Sequence, residues 1–302
     1  MPAPDLLRFS DDVRAALNAG RPVVALETSV WCQGLPFPAN VEGARRVNQA
    51  VLAQGAVPAV LAVDGGHIRV GVPQAELESW CESRDAIKVG MRELAWAAAS
   101  GRRGATTVSA CLAICEAAGL PLLVTGGIGG VHREARDTWD VSTDLDALAR
   151  CGVSVVASGT KSILDVPATL ETLETLGVPV LGYRTDAFPV FYCASSGHQV
   201  PRVDDPAQAA AVVRNQRALG FSQGVLIANP VSAEEGLDPA VVERWVAEAL
   251  GAASREGVSG KRVTPFLLEY LHGASQGATL RVNLALLEEN ARVGARIAAE
   301  IA

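Results

Sequence analysis

Short apolar runs rich in Val, Leu and Ala alternate along this chain with stretches whose apolar positions recur every three or four residues, the spacing of one helical face. Residues 22–26 (PVVAL) predict a buried strand that ends at Glu27-Thr28-Ser29. Beyond a Gly- and Pro-rich loop at 34–38, Asn40 is placed to cap a helix carrying Val41, Ala44, Val47, Val51 and Leu52. Residues 59–63 and 67–72 flank Asp64-Gly65-Gly66, a strong hairpin signal. A helix is expected over 105–118, entered from the small-residue loop Gly104-Ala105-Thr106-Thr107. The strand expected at 120–124 leads into Thr125-Gly126-Gly127-Ile128-Gly129-Gly130. Further strands are expected at 153–157, 178–181 and 224–228. A helix after Pro167 lines up Leu170, Leu173 and Leu176, and a last helix runs from about residue 280 to the C-terminus. This alternation implies an α/β fold, a largely parallel sheet with helices on both faces that the hairpin makes mixed. No internal repeat or linker interrupts the pattern, so 1–302 reads as a single domain.

Composition narrows the function classes. With 302 residues, 49% hydrophobic and 20% charged, the chain is ordinary for a globular protein with ample core. No apolar run reaches the ~18 residues of a membrane span, and Met1-Pro2-Ala3-Pro4-Asp5 lacks the basic and apolar segments of a secretion signal. The expected location is the cytoplasm. A net charge of −7 argues against nucleic acid, which needs clustered Lys and Arg, but leaves room for a small phosphorylated ligand. The cysteines at 32, 81, 111, 115, 151 and 193 form no C-x-x-C pair, and Cys111 and Cys115 share a helical face with no further ligand nearby. They read as packing residues.

Only Lys88, Lys161 and Lys261 are lysines among 26 basic residues. Arg keeps its proton near neutrality whereas Lys can become an amine nucleophile, so a scarce Lys is a candidate for amine chemistry. Lys161 is the best of the three, following an apolar strand and the turn Ser158-Gly159-Thr160, whereas Lys261 reads as incidental. In open α/β sheets ligands sit beyond the carboxyl ends of the strands. The residues predicted there are Glu27, Lys88, the stretch Thr125 to His132, and Ser158 to Lys161. The glycines of 125–130 allow the φ > 0 conformations of an anion-binding nest, and equally a tight structural turn. Asp140-Val141-Ser142-Thr143-Asp144 offers hard oxygen ligands for Mg²⁺, Mn²⁺ or a sugar phosphate, and equally an N-cap for a helix over 145–150. His132 is placed to move protons, while His67, His198 and His272 lack such context. Glu27, directly after a buried strand, requires a partner and suits acid/base duty.

Six ordered segments carry a family resemblance. They are Ala25-Leu26-Glu27-Thr28-Ser29, Gly34-Leu35-Pro36-Phe37-Pro38 with Asn40, Gly104-Ala105-Thr106-Thr107-Val108, the stretch Thr125 to Arg133, Lys161-Ser162-Ile163-Leu164-Asp165, and Val263-Thr264-Pro265-Phe266-Leu267-Leu268. From about residue 8 to the C-terminus the chain resembles the pseudouridine-5′-phosphate glycosidases, also called indigoidine synthase A-like proteins. The resemblance implies a three-layer α/β/α sandwich on a mixed sheet, often a homotrimer. It also implies a reaction at the carbon–carbon bond between C1 of ribose 5-phosphate and a heterocycle. Such a bond lacks a heteroatom leaving group, and a lysine amine can take up the electron deficit at C1 as an iminium. By resemblance Lys161 is the nucleophile, Glu27 the proton donor and acceptor, and His132 an assisting catalytic group. Lys88, Val108, Thr125, Ser142, Thr143, Asp144 and Asn283 would bind substrate, and Asp140 would hold Mn²⁺ or another divalent cation near the phosphate.

Three segments depart from the family's usual pattern. Trp31-Cys32-Gln33-Gly34 stands where Thr-His-Gly is usual before the Pro-rich loop. After Lys88, Val89-Gly90-Met91-Arg92-Glu93-Leu94 stands where Ser-Arg-Arg-Asp-Leu or close to it is usual, and Ala187 replaces a glutamate before Phe188-Pro189. Sugar, phosphate, metal and imine residues are kept, whereas segments expected beside the base become larger or more apolar. The expectation is therefore a C-glycosynthase joining ribose 5-phosphate to an aromatic acceptor, with a pseudouridine-5′-phosphate glycosidase as the alternative. A non-catalytic sugar-phosphate binding protein is a remote third, against which the retained Glu27 and Lys161 argue.

Overall fold

The computed structural model describes residues 6–258, 260 and 263–302, so Lys261 and the N-terminal Met1–Asp5 lie outside the described residues. Thirteen strands are described: β1 (Leu7–Phe9), β2 (Val23–Leu26), β3 (Val57–Asp64), β4 (His67–Val70), β5 (Ile87–Val89), β6 (Gly104–Thr106), β7 (Leu122–Val124), β8 (Val131–His132), β9 (Ser154–Ala157), β10 (Leu164–Asp165), β11 (Val180–Tyr183), β12 (Arg202–Val203) and β13 (Leu226–Ala228). Nine of them form the main sheet path β1-β4-β3-β2-β7-β9-β13-β11-β12, and β6 joins it at β3 with β5 alongside. Every pair along the path is parallel except β3 with β4, and β3 also pairs antiparallel with β6. The predicted hairpin is the β3–β4 pair, with Asp64 opposite His67. A small antiparallel pair, β8 with β10, lies apart from this sheet.

The central strands read as continuous apolar runs because both sheet faces are covered. Side chains alternate between two cores. Val24, Leu26, Leu122, Val124, Val156 and Ile227 face one, and Val23, Ala25, Leu123, Val155, Leu226 and Ala228 face the other. The first core packs under helices Ala39–Ala53, Pro206–Ala218 and Ala278–Ile301, through Val47, Val213, Leu287 and Val293 among others. The second packs under Asp11–Asn18, Val108–Ala118 and Thr143–Arg150, through Val13, Leu112 and Leu148. The result is the expected α/β/α sandwich on a mixed, largely parallel sheet. Cys111 and Cys115 are fully buried in it, and burial pushes both thiols above their ordinary range.

Two local expectations are corrected. The helix expected from 105 begins at Val108, because Gly104–Thr106 is strand β6. A Cβ on Gly104 would lie 2.6 Å from Val89 and 3.2 Å from Val63, so the small residues serve close strand packing rather than helix entry. Asn40 does not cap its helix, which begins at Ala39. Buried inside the first turn, its amide donates to the carbonyls of Trp31 (2.8 Å) and Cys81 (2.9 Å), and so holds the 30–34 turn in place.

Candidate active site

Beyond the carboxyl ends of β2, β7 and β9, two cavities of about 370 and 380 Å³ share the walls Glu27, Ser29, Lys88, Lys161 and Thr264. The first is mainly apolar, lined by Val30, Gln33, Phe191, Pro265, Leu268 and Asn283. The second is polar, lined by Thr107, Val108, Gly129, His132, Asp140 and the Ser142–Asp144 segment. The predicted site residues are therefore brought together: each lines one cavity or both. The two amines and the carboxylate stand where the cavities meet.

Lys161 reaches this wall through a constrained approach. Gly159 takes φ +71, and a Cβ there would lie 1.9 Å from the Pro189 carbonyl oxygen, so only glycine fits. The Lys161 backbone N–H then donates to the Ile128 carbonyl at 3.2 Å, pinning the lysine to the glycine-rich turn. Glu27 is 9% exposed and accepts hydrogen bonds from the hydroxyls of Ser29 and Thr125, one on each carboxylate oxygen. These donors hold the carboxyl in one orientation toward the shared wall. Thr125 thus touches the acid as well as lining the apolar cavity.

In the polar cavity, helices Val108–Ala118 and Thr143–Arg150 present their N-termini, a favourable environment for an anion. Ser142 is both a cavity residue and the N-cap, its Oγ accepting from the Asp144 N–H at 3.2 Å, so the two readings of this segment coexist. Asp144 is 6% exposed and spends its oxygens on the N–H groups of Ser109 (2.9 Å) and Gly129 (2.8 Å). It ties one helix N-terminus to the glycine-rich turn, and Thr143 adds a bond from its hydroxyl to that of Ser109 at 3.0 Å. His132 Nε2 lies 3.8 Å from an Asp140 oxygen. Burial pushes the imidazole below its ordinary range, Asp140 opposes this, and Lys161 and Lys88 add to it.

The glycine-rich turn is not the nest that its composition suggests. None of Gly126, Gly127, Gly129 and Gly130 takes a positive φ. The N–H of Gly129 already donates to Asp144, that of Ile128 to the Gly159 carbonyl, and that of Val131 to Thr169. Glycine is required for close approach instead. A Cβ would lie 2.6 Å from Phe191 at Gly127, 2.3 Å from Ser142 at Gly129 and 2.4 Å from Thr169 at Gly130.

The three departing segments also meet the site differently from the expectation. Trp31 is 2% exposed and packs into the core against Gly43, so the side chains this turn sends into the apolar cavity are Val30 and Gln33. Gly90, Arg92 and Glu93 lie on the polar cavity, not beside the apolar one, and Ala187 lines neither. Among the described residues no group of three or more His, Cys, Asp or Glu is arranged to hold a metal ion. Asp140 is the cavity carboxylate with an exposed face, at 42% of its side chain, and His132 is its neighbour.

The sequence profile of the indigoidine synthase A-like proteins matches residues 12–300. The chain belongs to this family. It is 47% identical over 294 residues to the pseudouridine-5′-phosphate glycosidase of Caldanaerobacter subterraneus subsp. tengcongensis, covering 97% of this chain and 96% of that one. The glycosidase of Symbiobacterium thermophilum is 49% identical over 298 residues, with 97% of each chain covered. Among solved structures, the prealnumycin C-glycosynthase AlnA in complex with ribulose 5-phosphate superposes with a TM-score of 0.92. It is 37% identical, with 99% of this chain and 98% of that one covered. An indigoidine synthase A-like protein of Thermotoga maritima gives 0.89 at 36% identity, covering 98% and 96%.

Several cavity residues gave no sign in the sequence of the part they play. Phe191 takes φ +49, an uncommon backbone for an aromatic, and closes the apolar cavity against the glycine-rich turn. Ser29 was legible only as a neighbour of Glu27. Pro265 and Leu268 come from a helix remote in sequence and fall in one of the six family segments, which by itself gave them no place in the site.

Proposed function

We propose that this enzyme breaks the carbon–carbon bond of pseudouridine 5′-phosphate, releasing uracil and ribose 5-phosphate through an imine on Lys161. The observation that carries the reading is the position of Lys161, Lys88 and Glu27 on the one wall shared by a polar and an apolar cavity. A sugar phosphate in the polar half and a flat base in the apolar half put C1 at that wall. The bond from C1 to the ring oxygen breaks, and that oxygen takes up a proton as the base ring shares the electron deficit at C1. The Lys161 amine adds to C1 and loses a proton. The C1–base bond then breaks as the nitrogen supplies electrons to form the iminium, and the departing pair on the ring carbon takes up a proton. Glu27, held by Ser29 and Thr125, is the group placed to give that proton. Water hydrolyses the iminium, freeing the sugar aldehyde and the amine.

Uracil is favoured as the base by Asn283. This residue is 7% exposed, and its Oδ1 has no hydrogen-bond partner among the described residues. A buried amide with unspent capacity suits a ring that carries both donors and acceptors. The polar cavity would hold the phosphate against two helix N-termini, Lys88 and Thr143. A single carboxylate beside a phosphate is the donor set of a divalent cation that keeps water and phosphate oxygens as most of its shell. Asp140 would hold such an ion, Mn²⁺ or another, and the ion would neutralise phosphate charge there.

A second reading, C-ribosylation of an aromatic acceptor, runs the same steps in reverse. The 370 Å³ apolar cavity adjoins a further one of about 330 Å³, with which it shares Gln33, Gly34, Pro265, Leu268 and Asn283, and a polycyclic acceptor needs that room. Incubation with pseudouridine 5′-phosphate and Mn²⁺ separates the two: uracil release supports cleavage, and its absence rejects it. Borohydride with ribose 5-phosphate should place one pentitol adduct on Lys161. Lys161→Ala and Lys161→Arg should both abolish the adduct and turnover, and activity in the arginine variant would rule out the amine mechanism.

A further inference from the structure

The reacting groups stand on strand ends that have run out of sheet. Past Val124 and Ala157, β7 and β9 stay joined by the Thr125 N–H to the Val156 carbonyl (3.0 Å) and the Ser158 N–H to the Gly126 carbonyl (2.8 Å). From there the chain turns to Lys161 on one side and into the glycine-rich loop on the other. Asn290, from helix Ala278–Ile301, which packs against both strands, reaches both.

Its Nδ2 donates to the Thr125 carbonyl at 2.9 Å, with the Gly126 carbonyl at 3.4 Å and Ser158 Oγ at 3.1 Å. Its Oδ1 accepts from Asn229 Nδ2 at 2.9 Å, and Asn229 in turn follows β13 and donates its N–H to the Ala157 carbonyl. One fully buried amide therefore binds the ends of three adjacent strands. The approach is close because Gly294, one turn further along the same helix face, lies against Val124, where a Cβ would come within 2.2 Å. Asn290 lines neither of the two cavities.

We propose that Asn290 is a positioning residue that sets the distance between Glu27 and Lys161. Through Thr125 it holds the donor to the Glu27 carboxyl, and through Ser158 it holds the first residue of the turn that ends at Lys161. The Ser158 carbonyl also accepts from the Phe191 N–H at 2.8 Å, so the same clamp seats the aromatic wall of the apolar cavity. A misplacement on the order of 1 Å between reacting groups costs on the order of 100-fold in rate. This role rests on the Lys161 imine chemistry proposed above.

The test is the kinetics of borohydride trapping with ribose 5-phosphate, followed by intact-protein mass spectrometry. Asn290→Asp keeps the shape and the acceptor for Asn229 but removes both donors, leaving the Thr125 and Gly126 carbonyls facing a carboxylate. The limiting trapping rate should fall about 10- to 100-fold at an unchanged half-saturating ribose 5-phosphate concentration. Ser158→Ala deletes one arm of the clamp with little change in volume, and should give a smaller fall in the same quantity. A purely structural role would lower the melting temperature of both variants and leave the limiting rate of the folded protein intact. That outcome, or a change confined to half-saturation, overturns the proposal. If Asn290→Asp does not fold, an unchanged limiting rate in Ser158→Ala overturns it alone. An absent adduct in the unsubstituted protein instead removes the imine reading beneath it.

Discussion

Glu27 and His132 show how two titratable residues of one site are set to different tasks by their neighbours. Glu27 keeps its carboxyl on two hydroxyl donors at the junction of the cavities. Glu27→Gln preserves size and the Thr125 contact but holds no transferable acid proton. It should still trap ribose 5-phosphate while releasing uracil about 10²- to 10⁴-fold more slowly, checked by mass spectrometry beside a uracil assay. His132 is held below its ordinary range, chiefly by burial. The imidazole is thus neutral in the folded protein at a pH where the unfolded chain begins to take up a proton, about 6.5 and lower. Its stabilising contribution is complete above that pH and is lost as the pH falls. His132→Gln should flatten the decline of melting temperature as the pH falls below about 6.5, and an unchanged slope would contradict the assignment. That Glu27 and Lys161 were chemical candidates was readable from their positions after apolar runs, and that His132 was one from its place after the glycine-rich turn. Their neighbours were not, since Ser29, Thr125 and Asp140 meet them only through side-chain directions set by folding.

At the scale of elements, glycines decide how closely helix and strand approach. Gly294 lets helix Ala278–Ile301 lie against Val124, and the branched Val124 side chain has no flexible end with which to yield. Gly294→Ala should destabilise the protein by about 1–3 kcal/mol, measured by urea denaturation, and should slow trapping because Asn290 recedes with the helix. Strand positions along the central sheet followed from apolar runs alone, because a strand buried on both faces has no polar side to confuse its reading. Gly104–Thr106 was read as helix entry because three small residues look the same whether they start a helix or thread between β3 and β5. Asn40 illustrates the same limit: a capping residue type near a helix start was instead spent on two distant carbonyls.

For the whole molecule the charge balance matters, because a protein of net charge −7 must draw a phosphate into a cavity with few cations. The divalent ion proposed at Asp140 would answer that need. Chelation with EDTA should raise KM for pseudouridine 5′-phosphate more than it lowers kcat, and restored Mn²⁺ should reverse the change. An effect confined to kcat would move the ion away from phosphate binding. Among the described residues no helix is long and apolar enough to cross a membrane. The order of strands and helices, the mixed sheet and the amine candidate are properties of the sequence itself, since they depend on local periodicity and on the rarity of one residue type. The division of the site into an apolar and a polar half, the burial of Trp31 away from it and the clamp at Asn290 exist only in the fold. Each depends on contacts between segments remote in sequence, Asn290 and Thr125 lying 165 residues apart, and no local pattern records which side chains those contacts bring face to face.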